Sequence, residues 1–171
     1  MRRFVSPRLL IVAFFLLALE FVFIPFFDVL KGRLAFLSLL ILDYAFSSHD
    51  ERLPFFAMFV GFIRDFAGGH LFGIETFSFT LTGLLLYLTL LKLDRENYSI
   101  RLGLTFLFVL LTEFIKLAFG ASVEISNGFS WNFAAGMFLT ALYTTACAPG
   151  FFWIADRWFK RTSIFRQYEL F

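Results

Sequence analysis

The chain has 171 residues, of which 60% are hydrophobic and only 16% are charged, and its mean hydropathy is +0.80. A typical globular domain has about 45–50% apolar and about 25% charged residues, so the chain lacks the polar surface that a water-soluble fold needs. One cysteine excludes an intramolecular disulfide scaffold, and a net charge of +2 argues against a nucleic-acid partner. We therefore predict an integral membrane protein.

Six apolar segments follow one another along the chain. Four are long enough for a transmembrane helix, which needs about 20 residues, whereas the second and third are short and could form two crossings or a re-entrant hairpin. A hairpin would leave the charged residues 49–52 in hydrocarbon, at a cost of several kcal/mol. The sequence thus predicts one polytopic domain over residues 1–171, an all-α bundle of six transmembrane helices. The predicted spans are residues 9–27, 34–48, 53–67, 71–93, 100–120 and 131–155.

The basic residues between the spans predict the orientation. With the N-terminus inside, eleven Lys and Arg residues lie on the cytoplasmic side and three, Lys31, Arg33 and Arg64, on the opposite side. Because cytoplasmic loops carry the excess of Lys and Arg, we expect both termini to be cytoplasmic. No run of small residues follows the first apolar segment, so we interpret that segment as an uncleaved span.

Ionisable residues inside the spans are the first candidates for function, because such residues are rare in lipid. They are Glu20, Asp43, Arg64, Asp65, Glu75, Glu113 and Lys116. Glu113 and Lys116 stand at i and i+3, a spacing that favours a structural ion pair. Glu20, Asp43 and Glu75 have no partner nearby in sequence. They could meet cations of other helices, reach the membrane surface or stay protonated, and the sequence leaves these alternatives open.

Gly61, Asp65, Gly69 and Gly73 recur at intervals of four residues around the junction of the third and fourth spans. Glycines at this spacing allow close helix packing, whereas the pair Gly68 and Gly69 is a turn signal. We expect Gly61 and Asp65 on the third span, the turn at the glycine pair, and Gly73 at the start of the fourth span, packed against the third. Asp65 would then lie at the membrane rim facing that turn, where it could accept hydrogen bonds from the free amides of the turn.

Signatures of enzymes and metal sites are missing from the sequence. There is no HExxH or GxSxG motif, and two histidines with scattered carboxylates make a poor zinc site. His49 with its acidic neighbours is more typical of a solvated loop, and His70 of a histidine at the membrane surface. Cys147, in an apolar stretch, is predicted to be a small packing residue. We expect no catalytic residues, no cofactor and no metal.

Residues 61–73 read GFIRDFAGGHLFG, and this segment resembles the G-x3-D-x3-G-x3-G signature of the bacterial rod-shape-determining MreD family. Gly61, Asp65, Gly69 and Gly73 match it. Arg64 departs from the apolar residue that usually precedes the acid. The chain length, a short second span with aromatic residues at its end, six spans and a basic C-terminal end are also similar to MreD proteins.

The resemblance implies a non-catalytic scaffold of the cell-elongation complex in the inner membrane. MreD proteins bind the bitopic protein MreC and work with MreB, with RodA and with its transpeptidase partner to direct lateral peptidoglycan synthesis and rod cell shape. The fold would be similar to the six-helix S components of energy-coupling-factor transporters. Gly61, Asp65, Gly69 and Gly73 would be partner-binding or helix-packing residues, in contact with other helices or with membrane lipid.

A vitamin-type S component that binds a small molecule is the alternative function. Asp65, His70, Glu75 and Trp131 could supply the polar groups that its pocket requires. S components usually carry an Ala-x3-Ala surface on the first span, and here Ala13 and Ala18 are five residues apart. An enzyme that acts within the membrane is a third possibility.

Overall fold

The computed structural model describes residues 14–20, 22, 33–47, 51–67, 72–93, 97–123 and 131–167. This part of the chain forms six helices and contains no strand, which confirms the all-helical prediction. The first helix, α1, is described over residues 14–20. The others are α2 (Phe36–Ser47), α3 (Leu53–Ala67), α4 (Ile74–Leu90), α5 (Tyr98–Val123) and α6 (Trp131–Gln167).

Helix α2 is the centre of the bundle. It contacts α3, α4, α5 and α6, and its leucines and isoleucine at positions 37 and 39–42 are at most 1% exposed. The reason lies in the sequence FLSLLILDYAFS, which is apolar on all sides except near Asp43. A helix that is hydrophobic all round is buried in apolar surroundings, which the neighbouring helices provide for α2.

Threonines of α6 accept hydrogen bonds from the backbone that leads into α2. The N–H of Arg33 donates to Thr140 Oγ1 at 3.0 Å, and the N–H of Ala35 donates to Thr144 Oγ1 at 3.2 Å. The first amides of a helix have no partner within the helix, and hydrocarbon offers none either. The backbone directly before this short central helix is therefore held by acceptors on α6.

Helices α3 and α4 form the most extensive pair in the structure, followed by α5 and α6. A Cβ atom added to Gly61 of α3 would lie 2.6 Å from the Cα of Thr76 in α4, and one added to Gly83 of α4 would lie 2.7 Å from the Cβ of Ala57. Both glycines are required for this close approach, since any larger side chain would push the helices apart.

Two of the described helices are long and apolar enough to cross a membrane by length and composition, over Tyr98–Phe119 and Ala134–Ala155. Helices α2 and α4 are apolar but shorter. At 1.5 Å per residue, α2 spans about 18 Å of a hydrocarbon core of about 30 Å. The segment predicted to span residues 131–155 continues as helix to Gln167 and contains Pro149. These observations indicate membrane association, and the six-span arrangement stays a prediction.

Candidate functional site

A network of ion pairs joins four helices at the end of the bundle where α3 turns into α4. Arg64 of α3 contacts Glu20 of α1 through Nη2 at 2.8 Å and Glu75 of α4 through Nε at 3.2 Å. Lys116 of α5 contacts Glu75 at 2.8 Å and Glu113 at 2.9 Å. The result is a continuous line of alternating charge, with three carboxylates and two cations. We call these five residues the charged network.

Phe79 lies beneath the two cations of the charged network. The guanidinium carbon of Arg64 is 5.8 Å from the centre of its ring, and Lys116 Nζ is 5.4 Å from it. The ring is completely buried. Such cation–π contacts contribute about 0.5–2 kcal/mol each, more where water is excluded. The face of the Phe79 ring thus attracts both cations in a buried part of the bundle.

The charged network answers most of the questions that the sequence left open. The predicted pair of Glu113 and Lys116 is confirmed, and Glu20 and Glu75 both meet cations of other helices. Asp43 is half-buried on α2 and takes part in none of these four ion pairs. Charged side chains inside a membrane protein are costly unless they are paired, so the network fixes how α1, α3, α4 and α5 meet.

Asp65 of α3 caps the N-terminal end of α4 with its side chain. Its Oδ1 accepts a hydrogen bond from the N–H of Glu75 at 3.1 Å, and its Oδ2 accepts one from the N–H of Thr76 at 2.9 Å. The hydroxyl of Thr76 also donates to Oδ2. The Asp65 residue is buried, at 6% exposure. The predicted acceptor role of Asp65 is thus directed to the first amides of α4, beyond the turn, and a negative charge there is also favoured by the helix dipole.

The candidate glycines have different roles in the structure. Helix α3 ends at Ala67 and α4 begins at Ile74, so the four positions do not share one continuous helix, while the turn predicted at Gly68 and Gly69 lies outside the described residues. Gly61 packs against α4, but the expectation that Gly73 packs against α3 is wrong, because a Cβ added there meets no atom within 4 Å. Gly73 instead precedes α4 with a φ of 99°, a backbone conformation that favours glycine. Gly69 and His70 lie outside the described residues.

Sequence reasoning missed the threonines that hold the helices together. Besides the bonds that Thr140 and Thr144 accept from α2, Thr112 of α5 donates to Thr82 of α4 at 3.2 Å in the buried interior. The available signal was spacing: Thr140 and Thr144 stand at i and i+4, which places both hydroxyls on one helix face. Cys147 was also misjudged, since it is exposed rather than packed inside.

The chemistry of the site is that of charge pairing in an apolar environment. Within the described residues, no group of three or more His, Cys, Asp or Glu side chains could hold a metal ion. No family model, curated protein or solved structure matches the chain. The fold and the site define an all-helical protein in which two described helices are long and apolar enough to cross a membrane and a buried charged network joins four helices, and the resemblance to MreD stays a prediction.

Proposed function

We propose that the protein is an MreD-like membrane scaffold with six spans, located in the bacterial inner membrane with both termini in the cytoplasm. Its function would be to bind an MreC-like bitopic protein within the elongation complex that contains MreB, RodA and its transpeptidase partner. In this orientation the whole charged network would lie toward the outer side, because α3 ends and α4 begins there.

One observation carries the proposal: three of the four residues that match the MreD signature shape the hairpin of α3 and α4. Gly61 allows α4 to approach α3, Asp65 caps α4, and Gly73 supplies the backbone conformation between them. These residues maintain the shape of the hairpin, as a scaffold requires. The Asp65 carboxylate, the polar group of the signature, is hydrogen-bonded within the protein.

The surface of this hairpin supports a role in helix-to-helix binding. Phe55, Phe62 and Phe66 of α3 and Phe72 before α4 are between 44% and 70% exposed. The last three form a triangle of edge-to-face contacts with ring centres 4.9–5.9 Å apart. We call these four residues the aromatic band. Without a hydrophobic force between helices in lipid, association depends on shape and close contact, which preorganised rings provide.

The alternative S component needs polar groups directed at a ligand. Of the residues named for it, Asp65 caps α4 and Glu75 is paired with Arg64 and Lys116, so both have structural partners. This engagement favours the scaffold over the vitamin-type pocket.

In-membrane photocrosslinking tests the proposal. A photoreactive phenylalanine at position 62 or 66 should capture a bitopic membrane protein in the native membrane, and the same probe at Leu84 or Leu88, exposed on α4, is the matched control. Recovery of an MreC-like protein from the aromatic band supports the scaffold. Recovery of an energy-coupling subunit would instead support the S component, and equal capture from both helices would remove the special role of the aromatic band.

A further inference from the structure

Helix α6 continues well beyond its apolar part. The apolar segment ends at Ala155, whereas the helix continues to Gln167. Residues 156–167 contain four basic residues and one acidic residue, namely Arg157, Lys160, Arg161, Arg166 and Asp156. The segments that follow α2 and α4, residues 48–52 and 91–97, carry at least as many acidic as basic residues. The excess of positive charge among these three segments is therefore on the extension of α6.

An arginine that lies over an exposed tryptophan marks the point where the apolar part of α6 ends. The guanidinium carbon of Arg157 is 5.3 Å from the centre of the Trp153 ring. Arg157 is exposed and Trp153 is 63% exposed, so both side chains lie on the outside of the bundle. Tryptophan is enriched at the level of the lipid headgroups. A guanidinium over a ring face keeps its N–H donors in its own plane, where an anion can accept from them.

A second arginine lies at the same end of the bundle, on α5. The guanidinium carbon of Arg101 is 5.1 Å from the centre of the Phe46 ring. The Phe46 ring in turn makes an edge-to-face contact with Phe152, the residue before Trp153, with ring centres 5.7 Å apart. The beginning of α5 and the end of the apolar part of α6 therefore bring two cations to one end of the bundle.

The helical rise places three basic residues of the extension at the depth of the lipid headgroups. At about 1.5 Å per residue, Arg157, Lys160 and Arg161 lie about 3–9 Å beyond Ala155 along the helix. The headgroup layer is about 5–8 Å thick on each side of the hydrocarbon. Basic residues at this depth attract anionic lipids, by about 1 kcal/mol each.

We propose that this end of α6, together with Arg101, is a binding surface for the headgroup phosphate of an anionic membrane lipid. Arg157 would donate to the phosphate, and Trp153 would lie against the lipid beside it. The partner is a lipid because the basic residues begin where the apolar helix ends and an exposed tryptophan precedes them. This inference depends on α6 crossing the membrane and not on the MreD-like function.

Brominated lipids test the proposal, because bromine quenches tryptophan fluorescence on contact. The chain has three tryptophans, and Trp131→Phe combined with Trp158→Phe leaves Trp153 as the reporter. The full chain is placed in phosphatidylcholine vesicles that contain brominated phosphatidylglycerol or, at the same fraction, brominated phosphatidylcholine. We expect stronger quenching by the brominated phosphatidylglycerol, and a titration of its fraction gives the relative association constant of the two lipids. Arg157→Gln should lower this constant about fivefold, the effect of one basic residue near a membrane surface.

Two controls separate a binding surface from a general enrichment of anionic lipid around the protein. Lys92→Gln removes an exposed cation next to α4 and should leave the constant unchanged. A second reporter protein keeps Trp131, at the start of α6, as its only tryptophan and should be quenched equally by the two lipids.

Equal quenching of Trp153 by the two lipids overturns the proposal. So does a preference at Trp131 as large as that at Trp153, or an Arg157→Gln variant with an unchanged constant. If Arg157→Gln does not fold, the comparison of the two reporters decides with the arginine intact. The preference at Trp153 should also shrink in about 1 M salt, where the Debye length falls to about 3 Å. The crosslinking experiment is unaffected by any of these results.

Discussion

At Gly61 the backbones of α3 and α4 approach each other closely. The Cβ of an alanine there would meet the Cα of Thr76 at 2.6 Å and the carbonyl oxygen of Glu75 at 2.9 Å. Both are backbone atoms, which cannot move aside as a flexible side chain would. The residue is therefore small for a geometrical reason that the four-residue spacing alone does not reveal.

Gly61→Ala should lower the free energy of unfolding by about 1–3 kcal/mol, the usual cost of overpacking. Gly103→Ala is the matched control, because Gly103 lies within α5 and a Cβ there meets nothing within 4 Å. That change should leave stability equal or raise it by up to about 1 kcal/mol, since alanine favours helix more than glycine. Unfolding in mixed micelles with increasing SDS, followed by circular dichroism, measures both. Equal effects would contradict the close packing at Gly61.

Asp65→Ala removes the acceptor of two backbone amides and one hydroxyl in the first turn of α4. We expect a loss of about 1–3 kcal/mol, because the amides of Glu75 and Thr76 would lose their partner. Asp65→Asn keeps one carbonyl oxygen and should lose less. The same SDS titration ranks the two variants, and an alanine variant as stable as the unaltered protein would show that the cap contributes nothing.

At the scale of elements, the central position of α2 depends on its neighbour α6. Thr144 accepts from the N–H of Ala35 and is fully buried, whereas the adjacent Thr145 donates only to the carbonyl of Ala141 among the bonds described. Two neighbouring threonines of the same helix therefore have different tasks, which offers a direct comparison.

Thr144→Val keeps the shape of the side chain but leaves the amide of Ala35 without an acceptor. The expected loss is about 1–3 kcal/mol. Thr145→Val removes no bond between helices and should change stability by less than about 0.5 kcal/mol. Hydrogen exchange at the amide of Ala35 should also become faster in the first variant alone. Similar exchange in both variants would argue against the cap from α6.

The charged network joins four helices, α1, α3, α4 and α5, each of which contributes one or two charged side chains. Arg64→Leu removes the cation between Glu20 and Glu75 and leaves two carboxylates in a largely buried region, so we expect a loss of about 3–5 kcal/mol. Glu113→Gln should have a small effect, because Glu113 is 25% exposed and Lys116 keeps its contact with Glu75. SDS unfolding compares them, and comparable small losses would mean that the network adds no stability.

At the scale of the whole molecule, the six-span prediction has a simple consequence. Asn97, between the fourth and fifth spans, should face the cytoplasm, and Glu124, after the fifth, should face the exterior. In a Cys147→Ala background, single cysteines at 97 and 124 should react with an impermeant thiol reagent from opposite sides of the membrane. Labelling from the same side would overturn the six-span model.

Composition and local pattern were sufficient for several conclusions. Apolar runs predicted an all-helical chain with apolar helices, the i and i+3 spacing predicted the pair of Glu113 and Lys116, and the glycine pair predicted the break after α3. Each of these depends on residues close together in the chain, where sequence and geometry are directly linked.

Only the tertiary structure could decide which distant residues meet. Glu20 of α1 and Arg64 of α3 are separated in the chain by the whole of α2, and nothing in their local sequence indicates that they pair. The same holds for the backbone before α2. The N–H groups of Arg33 and Ala35 donate to threonines of α6 that are more than 100 residues away in the sequence. The sequence by itself thus determined the apolar, helical character of the protein, because that depends on composition and short-range periodicity. The packing decided the charged network, because in an apolar environment each charge is stabilised by whichever opposite charge the other helices bring within about 3 Å.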